Sequence, residues 1–185
     1  MLEWENSKSC FFFRCEEERV WIDAAPSHES DSNACGHCGE KRAQGVQLVA
    51  EGYMDKIKHY CLMEDIQIRS NPKNTANVGV QIETEDAMIM RHIQPDDWVV
   101  MLDENGSDIS SEQMSKLVED AGLTGSSRIS FCIGGPYGHG PQLRKRANVS
   151  IRLSSMILNH QIAFIVLLEQ LYRAWTILKG QKYHH

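Results

Sequence analysis

From Gly45 onward, Val49, Tyr53, Ile57 and Tyr60 recur at three-to-four spacing, the signature of an amphipathic helix. A weak strand, Ile66–Ile68, and a turn cluster, Ser70–Asn74, follow. Val78, Ile82, Met90 and Ile93 predict a second helix, with an acidic outer face around Glu83, Glu85 and Asp86. Trp98–Leu102 is continuously apolar between Asp97 and Asp103, as expected of a strand buried on both faces. Asn105-Gly106 predicts a turn. Ser110 with Gln113 three residues later predicts a capping box that opens a helix to about Ala121, stopped by Gly122. Ile129–Ile133 predicts the next buried strand, and Gly134–Gly140 a Gly-rich loop. A short basic helix over 142–146, a strand over Val149–Leu153 and a long helix over His160–Lys179, stopped by Gly180, complete the pattern. Strands alternating with helices predict an α/β fold with helices on both faces of a parallel sheet.

Residues 1–45 lack such periodicity and read as a poorly ordered N-terminal extension, leaving 46–185 as the folded domain. The longest apolar run, Ile162–Leu168, is far shorter than the roughly 20 residues a membrane-spanning helix needs. No membrane partner is therefore expected.

Composition adds one asymmetry. The chain of 185 residues carries a net charge of −6, yet residues 142–185 hold seven Lys/Arg against one acidic residue. An acidic body with a basic end suits a local anionic partner such as a phosphate backbone. The six cysteines come without a signal-peptide pattern, which points to reduced thiols. Cys35-Gly36-His37-Cys38 looks like half of a zinc knuckle, with Cys10 and Cys15 as the only partners weighed, and their spacing is loose for such a pair. No metal site is assigned.

Three predicted strand ends carry candidate chemistry. Gly134-Gly135 directly after a buried strand lets backbone amides approach a ligand, although a bare Gly-Gly is more often only a tight turn. The loop matches neither a dinucleotide nor a P-loop fingerprint. Leu153–Asn159 is an apolar loop with two hydroxyls, suited to a flat aromatic ligand, and Leu102-Asp103-Glu104 ends a third strand. Parallel strand ends converge on one edge.

Phe131–Gly138, Leu153-Ser154-Ser155, Asn159-His160, Glu169–Trp175 and Tyr183-His184-His185 closely resemble the ribosomal RNA large subunit methyltransferase H family, of the SPOUT class. The likeness is collinear over roughly 46–185 and looks like a plant-type member. It implies an α/β parallel sheet with a C-terminal trefoil knot and a homodimer. It also implies S-adenosylmethionine-dependent methylation of a pseudouridine ring nitrogen in large-subunit rRNA. By position, the resemblance places the methyl-donor contacts on Leu102, Gly135, Ser154, Ser155, Met156, Ile157, Leu158 and Asn159, where Ile157 and Asn159 stand in place of the family's frequent Thr and Pro.

Methyl transfer from a sulfonium is chiefly a matter of proximity and alignment, but the ring nitrogen must first lose its proton. His160, Arg173, Tyr183 and His184 are the candidates for assisting that step. Arg173 also has a bland alternative, an ion pair with Glu169 one helical turn away. The long C-terminal helix is apolar nearly all round, through Leu171, Trp175 and Leu178, more than one small domain is expected to cover. This is a second reason to expect a dimer.

The family's first strand should precede Gly39-Glu40-Lys41, and no such strand is legible there. The rival reading from another class is a non-catalytic RNA- or ribosome-binding module that retains the fold. A metal-binding regulator built on the N-terminal cysteines is more distant. The resemblance points to bacterial-type ribosomes of a plastid or mitochondrion, whereas the acidic N-terminal segment is a poor transit peptide, so no compartment is assigned.

Overall fold

The computed structural model describes the backbone of residues 7–14 and residues 42–69, 77–126, 128–135 and 137–182. Its elements are β1 (Ser7–Arg14), α1 (Gln44–Ile57), β2 (Leu62–Arg69), α2 (Val78–Met90) and β3 (Asp97–Asp108). These are followed by α3 (Ser111–Leu123), β4 (Arg128–Ile133), α4 (Pro141–Arg146), β5 (Val149–Arg152) and α5 (His160–Leu178). The five strands form one sheet in the order β2-β1-β4-β3-β5.

β3 pairs in parallel with both β4 and β5, as expected of the continuously apolar Trp98–Leu102 run in β3. β1 pairs antiparallel with β2 and with β4, so it alone runs against the other four. Within the 1–45 segment, expected as a poorly ordered extension, Ser7–Arg14 forms a strand at an interior position of the sheet. Phe11-Phe12-Phe13 shows no apolar/polar alternation, so the segment lacks the period-two signature of a half-buried strand. The antiparallel strand also qualifies the expected parallel sheet, which holds for β4, β3 and β5.

Alternate residues of the central strands feed two cores. Val100, Ile129, Phe131 and Ile133 pack with α1, α3 and α5 on one face. Val99 and Cys132 pack with Ile89 of α2 and Leu143 of α4 on the other. α5 is buried through Phe164, Leu167, Leu168, Leu171, Ala174 and Trp175 against its own protomer. The expectation that its apolar surface exceeds what one domain covers therefore narrows to a stripe holding the exposed Ile162 and Ile177 and the half-buried Val166, Gln170 and Arg173. Among the described residues, no helix is long and apolar enough to cross a membrane.

Two further expectations change. The acidic face of α2 is only partly outward. Glu83 is exposed, but Glu85 and Asp86 are buried. Glu85 accepts a hydrogen bond from Gln81 (3.0 Å), and Asp86 accepts the amides of Gln142 (2.7 Å) and Leu143 (3.0 Å) at the start of α4. A carboxylate there satisfies amides that a helix leaves without partners and meets the positive end of its dipole. A Cβ on Gly140 would stand 2.3 Å from that carboxylate, so only glycine lets the loop come this close.

The Asn105-Gly106 turn is instead part of β3, where the pairing with β5 shifts register between Leu102 and Ser107. Gly106 lies against the backbone of Ile151, 2.4 Å from an added Cβ. The capping box at Ser110 forms as expected, with Ser110 N–H donating to Gln113 (2.8 Å) and Gln113 N–H to Ser110 Oγ (3.2 Å). The helix then runs past Gly122 to Leu123, and the turn to positive φ falls at Gly125. The Ser70–Asn74 cluster lies outside the described residues.

Candidate functional site

A cavity of about 630 Å³ opens where β4 and β5 end, beside the register shift within β3. Leu102–Asn105 of β3 builds one wall, Ile133–Gly135 with Tyr137–His139 after β4 a second, and the Leu153–His160 segment after β5 a third. Open sheets collect ligands at this edge, and the size is ordinary for a ligand pocket, roughly 300–1,000 Å³. Leu102, Gly135, Ser154, Met156, Ile157, Leu158 and Asn159 all line it, as does His160. Ser155 shares the loop without lining the cavity.

The third wall is held by local hydrogen bonds. Ser154 Oγ accepts the Met156 amide (3.0 Å), and Asn159 Oδ1 caps α5 by accepting the Gln161 amide (2.8 Å). Met156 and Ile157 stay 73% and 85% exposed, apolar side chains at the cavity mouth. The second wall turns tightly, with Gly138 N–H donating to Gly135 O (2.9 Å) and Gly138 at φ +69°. A β-carbon there is strained, whatever the space.

Charge enters from the first wall. Asp103 accepts the Asn105 amide (3.0 Å) and the Arg144 guanidinium (2.7 Å). Burial is the largest influence on its pKa and pushes it up. The Asn105 amide, Arg144 and His139 together outweigh burial, so the carboxyl sits below its ordinary value and stays ionised at neutral pH. Arg152, also on the cavity wall, is held by Asp108 through bonds of 2.5 and 2.6 Å.

His160 begins α5. Burial first, and the nearby Arg42 second, push its pKa below the ordinary 6.5, so its imidazole is neutral at pH 7. Arg42 is held in turn by Asp65 and lies 4.0 Å from the centre of the Phe164 ring.

Arg173 is not brought to this cavity. Its guanidinium bonds Glu169 (2.7 and 3.1 Å), and it stands thirteen positions beyond His160 on α5, about 20 Å along the axis. Tyr183 and His184 lie outside the described residues, as do Cys15, Cys35 and Cys38. Among the described residues no group of three His, Cys, Asp or Glu could hold a metal ion.

Sequence reasoning passed over His139 and Arg144. His139 is buried, and its Nε2 stands 2.8 Å from the Leu102 carbonyl oxygen. Its only signal in the sequence was its place in the Gly-rich loop. Arg144 was read as one charge of a basic helix, whereas it reaches back to Asp103 and to the His139 carbonyl (3.2 Å).

Glycine backbone and aliphatic side chains leave room in this cavity for a flat ligand, and the ionised Asp103 on its wall is paired with Arg144.

The chain is also similar to known proteins. A family model described as predicted SPOUT methyltransferase matches residues 35–184. An Arabidopsis thaliana protein named as a candidate RNA methyltransferase is 63% identical over 147 residues, covering 80% of this chain and 76% of its own length. The protein named ribosomal RNA large subunit methyltransferase H of Christiangramia forsetii is 39% identical over 149 residues, 80% of this chain and 94% of that relative. Its namesake in Clostridium botulinum strain Loch Maree is 35% identical over 150 residues, 79% and 94% of the two chains. β1 precedes the matched segment.

Proposed function

Because this chain belongs to the SPOUT methyltransferase family, we propose that it is an S-adenosylmethionine-dependent enzyme that methylates a pseudouridine ring nitrogen in large-subunit rRNA. The observation that carries this reading is the convergence of the loops after β4 and β5 and the irregular middle of β3 on one cavity, with the eight residues expected at the methyl donor lining it or, for Ser155, adjoining it. When bound, S-adenosylmethionine supplies an electrophilic methyl group on a sulfonium.

The protein's own part is placement and proton handling. Backbone groups of Leu102, Gly135 and the Ser154–Asn159 loop hold the donor, and Met156 and Ile157 exclude water from the mouth. Asp103 keeps its negative charge beside a cationic ligand. His160, neutral at pH 7, accepts the ring-nitrogen proton on an imidazole nitrogen, raising the nucleophilicity of the base. Holding both reactants in one dry cavity provides the remaining rate acceleration through proximity.

Residues 46–185, together with β1, form the catalytic unit in this reading, and its C-terminal part threads as the family's trefoil knot. The working form is a homodimer. The uncovered stripe of α5 supports this, because a second copy seated there can carry its Arg173, and the tail that follows α5, to a cavity that Arg173 does not reach on its own helix. The basic segment after residue 141 then meets RNA phosphates.

Isothermal calorimetry with S-adenosylmethionine tests the reading. Micromolar binding that is lost in Gly135→Val, with the fold retained, supports it. No binding at millimolar donor contradicts it and favours a non-catalytic RNA-binding module.

A further inference from the structure

His139 is absent from the sites assigned above, yet it touches the cavity wall where the sheet pairing of β3 is interrupted. The parallel ladder between β3 and β5 is interrupted directly after Leu102, where the register shifts. Between Leu102 and Ser107, where the pairing with β5 resumes, no ladder partner fixes the direction of the β3 backbone. His139 reaches this position from the opposite wall, with Nε2 2.8 Å from the Leu102 carbonyl oxygen. A carbonyl only accepts, so Nε2 carries the hydrogen.

The imidazole is buried, and its own backbone is held from two sides. Arg144 donates to the His139 carbonyl (3.2 Å), and Asp86 fixes the first turn of α4 immediately after it. Gly134 leaves the room, because a Cβ there would stand 3.1 Å from Nε2. These contacts tie the loop after β4 to the middle of β3 at one atom pair.

We propose that His139 is a positioning residue for the methyl donor. Its Nε2–H clamps the Leu102 carbonyl and so sets the spacing between two cavity walls. This rests on the reading of the cavity as the S-adenosylmethionine site. His139 acts through Leu102, so its loss weakens donor affinity more than it slows the reaction at saturating donor.

The test titrates S-adenosylmethionine by calorimetry into the full-length wild type, His139→Leu and His139→Gln, with melting curves recorded without donor. Leucine fills the space without a donor group, whereas glutamine presents an N–H at similar reach. Leaving a buried carbonyl without its partner predicts a Kd raised about tenfold or more in His139→Leu. Recovery in His139→Gln to within about threefold of wild type is expected. Turnover at saturating donor should stay within about threefold of wild type in both variants.

A second measurement needs no variant protein in its sample. Long-range ¹H–¹⁵N spectra of the wild type, with the His139 signal assigned by its absence from His139→Gln, report the tautomer. Protonated Nε2 with bare Nδ1 is expected, and the opposite tautomer overturns the proposal. Equal donor affinity of His139→Leu and a wild type that binds overturns it alone. A wild type that does not bind overturns the reading of the cavity and this proposal with it. If His139→Leu fails to fold, the tautomer and the affinity of His139→Gln decide, and a Kd more than tenfold above wild type in His139→Gln counts against the clamp.

Discussion

The rings of Trp175 and Tyr60 stack within one protomer, their centroids 6.1 Å apart and their planes 7° from parallel. Tyr60 donates from its hydroxyl to Gln181 (2.6 Å), which ties the start of the C-terminal tail to the end of α1. Trp175 thus belongs to the core on the α1 side of the sheet, although its place on an all-apolar helix suggests an intersubunit residue. Trp175→Ala is expected to lower folding stability by about 3–5 kcal/mol, read from the denaturation midpoint. A change in oligomeric state without loss of stability would contradict this placement.

The dimer is better tested on the outward stripe. Ile162 and Ile177 are 49% and 38% exposed on α5, in line with Val166 and Arg173. Ile162→Glu leaves the monomer's core untouched but buries a charge in the proposed interface, so the dimer dissociation constant should rise about 100-fold or more. Sedimentation measures this directly. An unchanged dimer would place the interface elsewhere, and a monomeric wild type at micromolar concentration would remove it.

Acid sensitivity follows from His160. Its folded pKa lies below the unfolded value of 6.5, so the unfolded chain binds the proton more readily. This residue's effect is therefore a loss of stability as pH falls from about 6.5 downward through the folded pKa, with no such loss above it. His160→Gln should flatten that part of the stability–pH curve and slow methyl transfer by about 10²-fold or more at neutral pH. Methylation at the wild-type rate would remove His160 from the proton-transfer step.

Deleting residues 183–185 is expected to slow methyl transfer by about 10²-fold while changing donor affinity less than threefold, since an aromatic ring and imidazoles suit stacking on a base and moving a proton. A mixed dimer of tail-less and Gly135→Val chains separates the donor-binding protomer from the protomer that supplies the tail. Wild-type rates for the truncated chain would make the tail dispensable.

Much of this architecture can be read from the residues because its cause is local. Trp98–Leu102 and Ile129–Ile133 are apolar on both faces, and Ser110 with Gln113 caps α3 through neighbouring atoms. What escaped is long-range. Asp86 looks like a surface acid, and only the approach of Gly140 from 54 residues away buries it. The role of β1 is set by unpaired edges on β2 and β4, which nothing within Ser7–Arg14 announces. Among site residues, the loops that follow strands were legible because parallel strand ends converge. His139 and Arg144 were not, because their partners Leu102 and Asp103 lie 37 and 41 positions away.

The most direct test is nucleoside mass spectrometry of bacterial-type large ribosomal subunits incubated with the protein and S-adenosylmethionine labelled with deuterium in its methyl group. A methylpseudouridine carrying the labelled methyl on a ring nitrogen is expected with the wild type and is expected to be absent with Gly135→Val. A wild-type protein that binds the donor but leaves the pseudouridines of those subunits unlabelled would contradict the proposed activity.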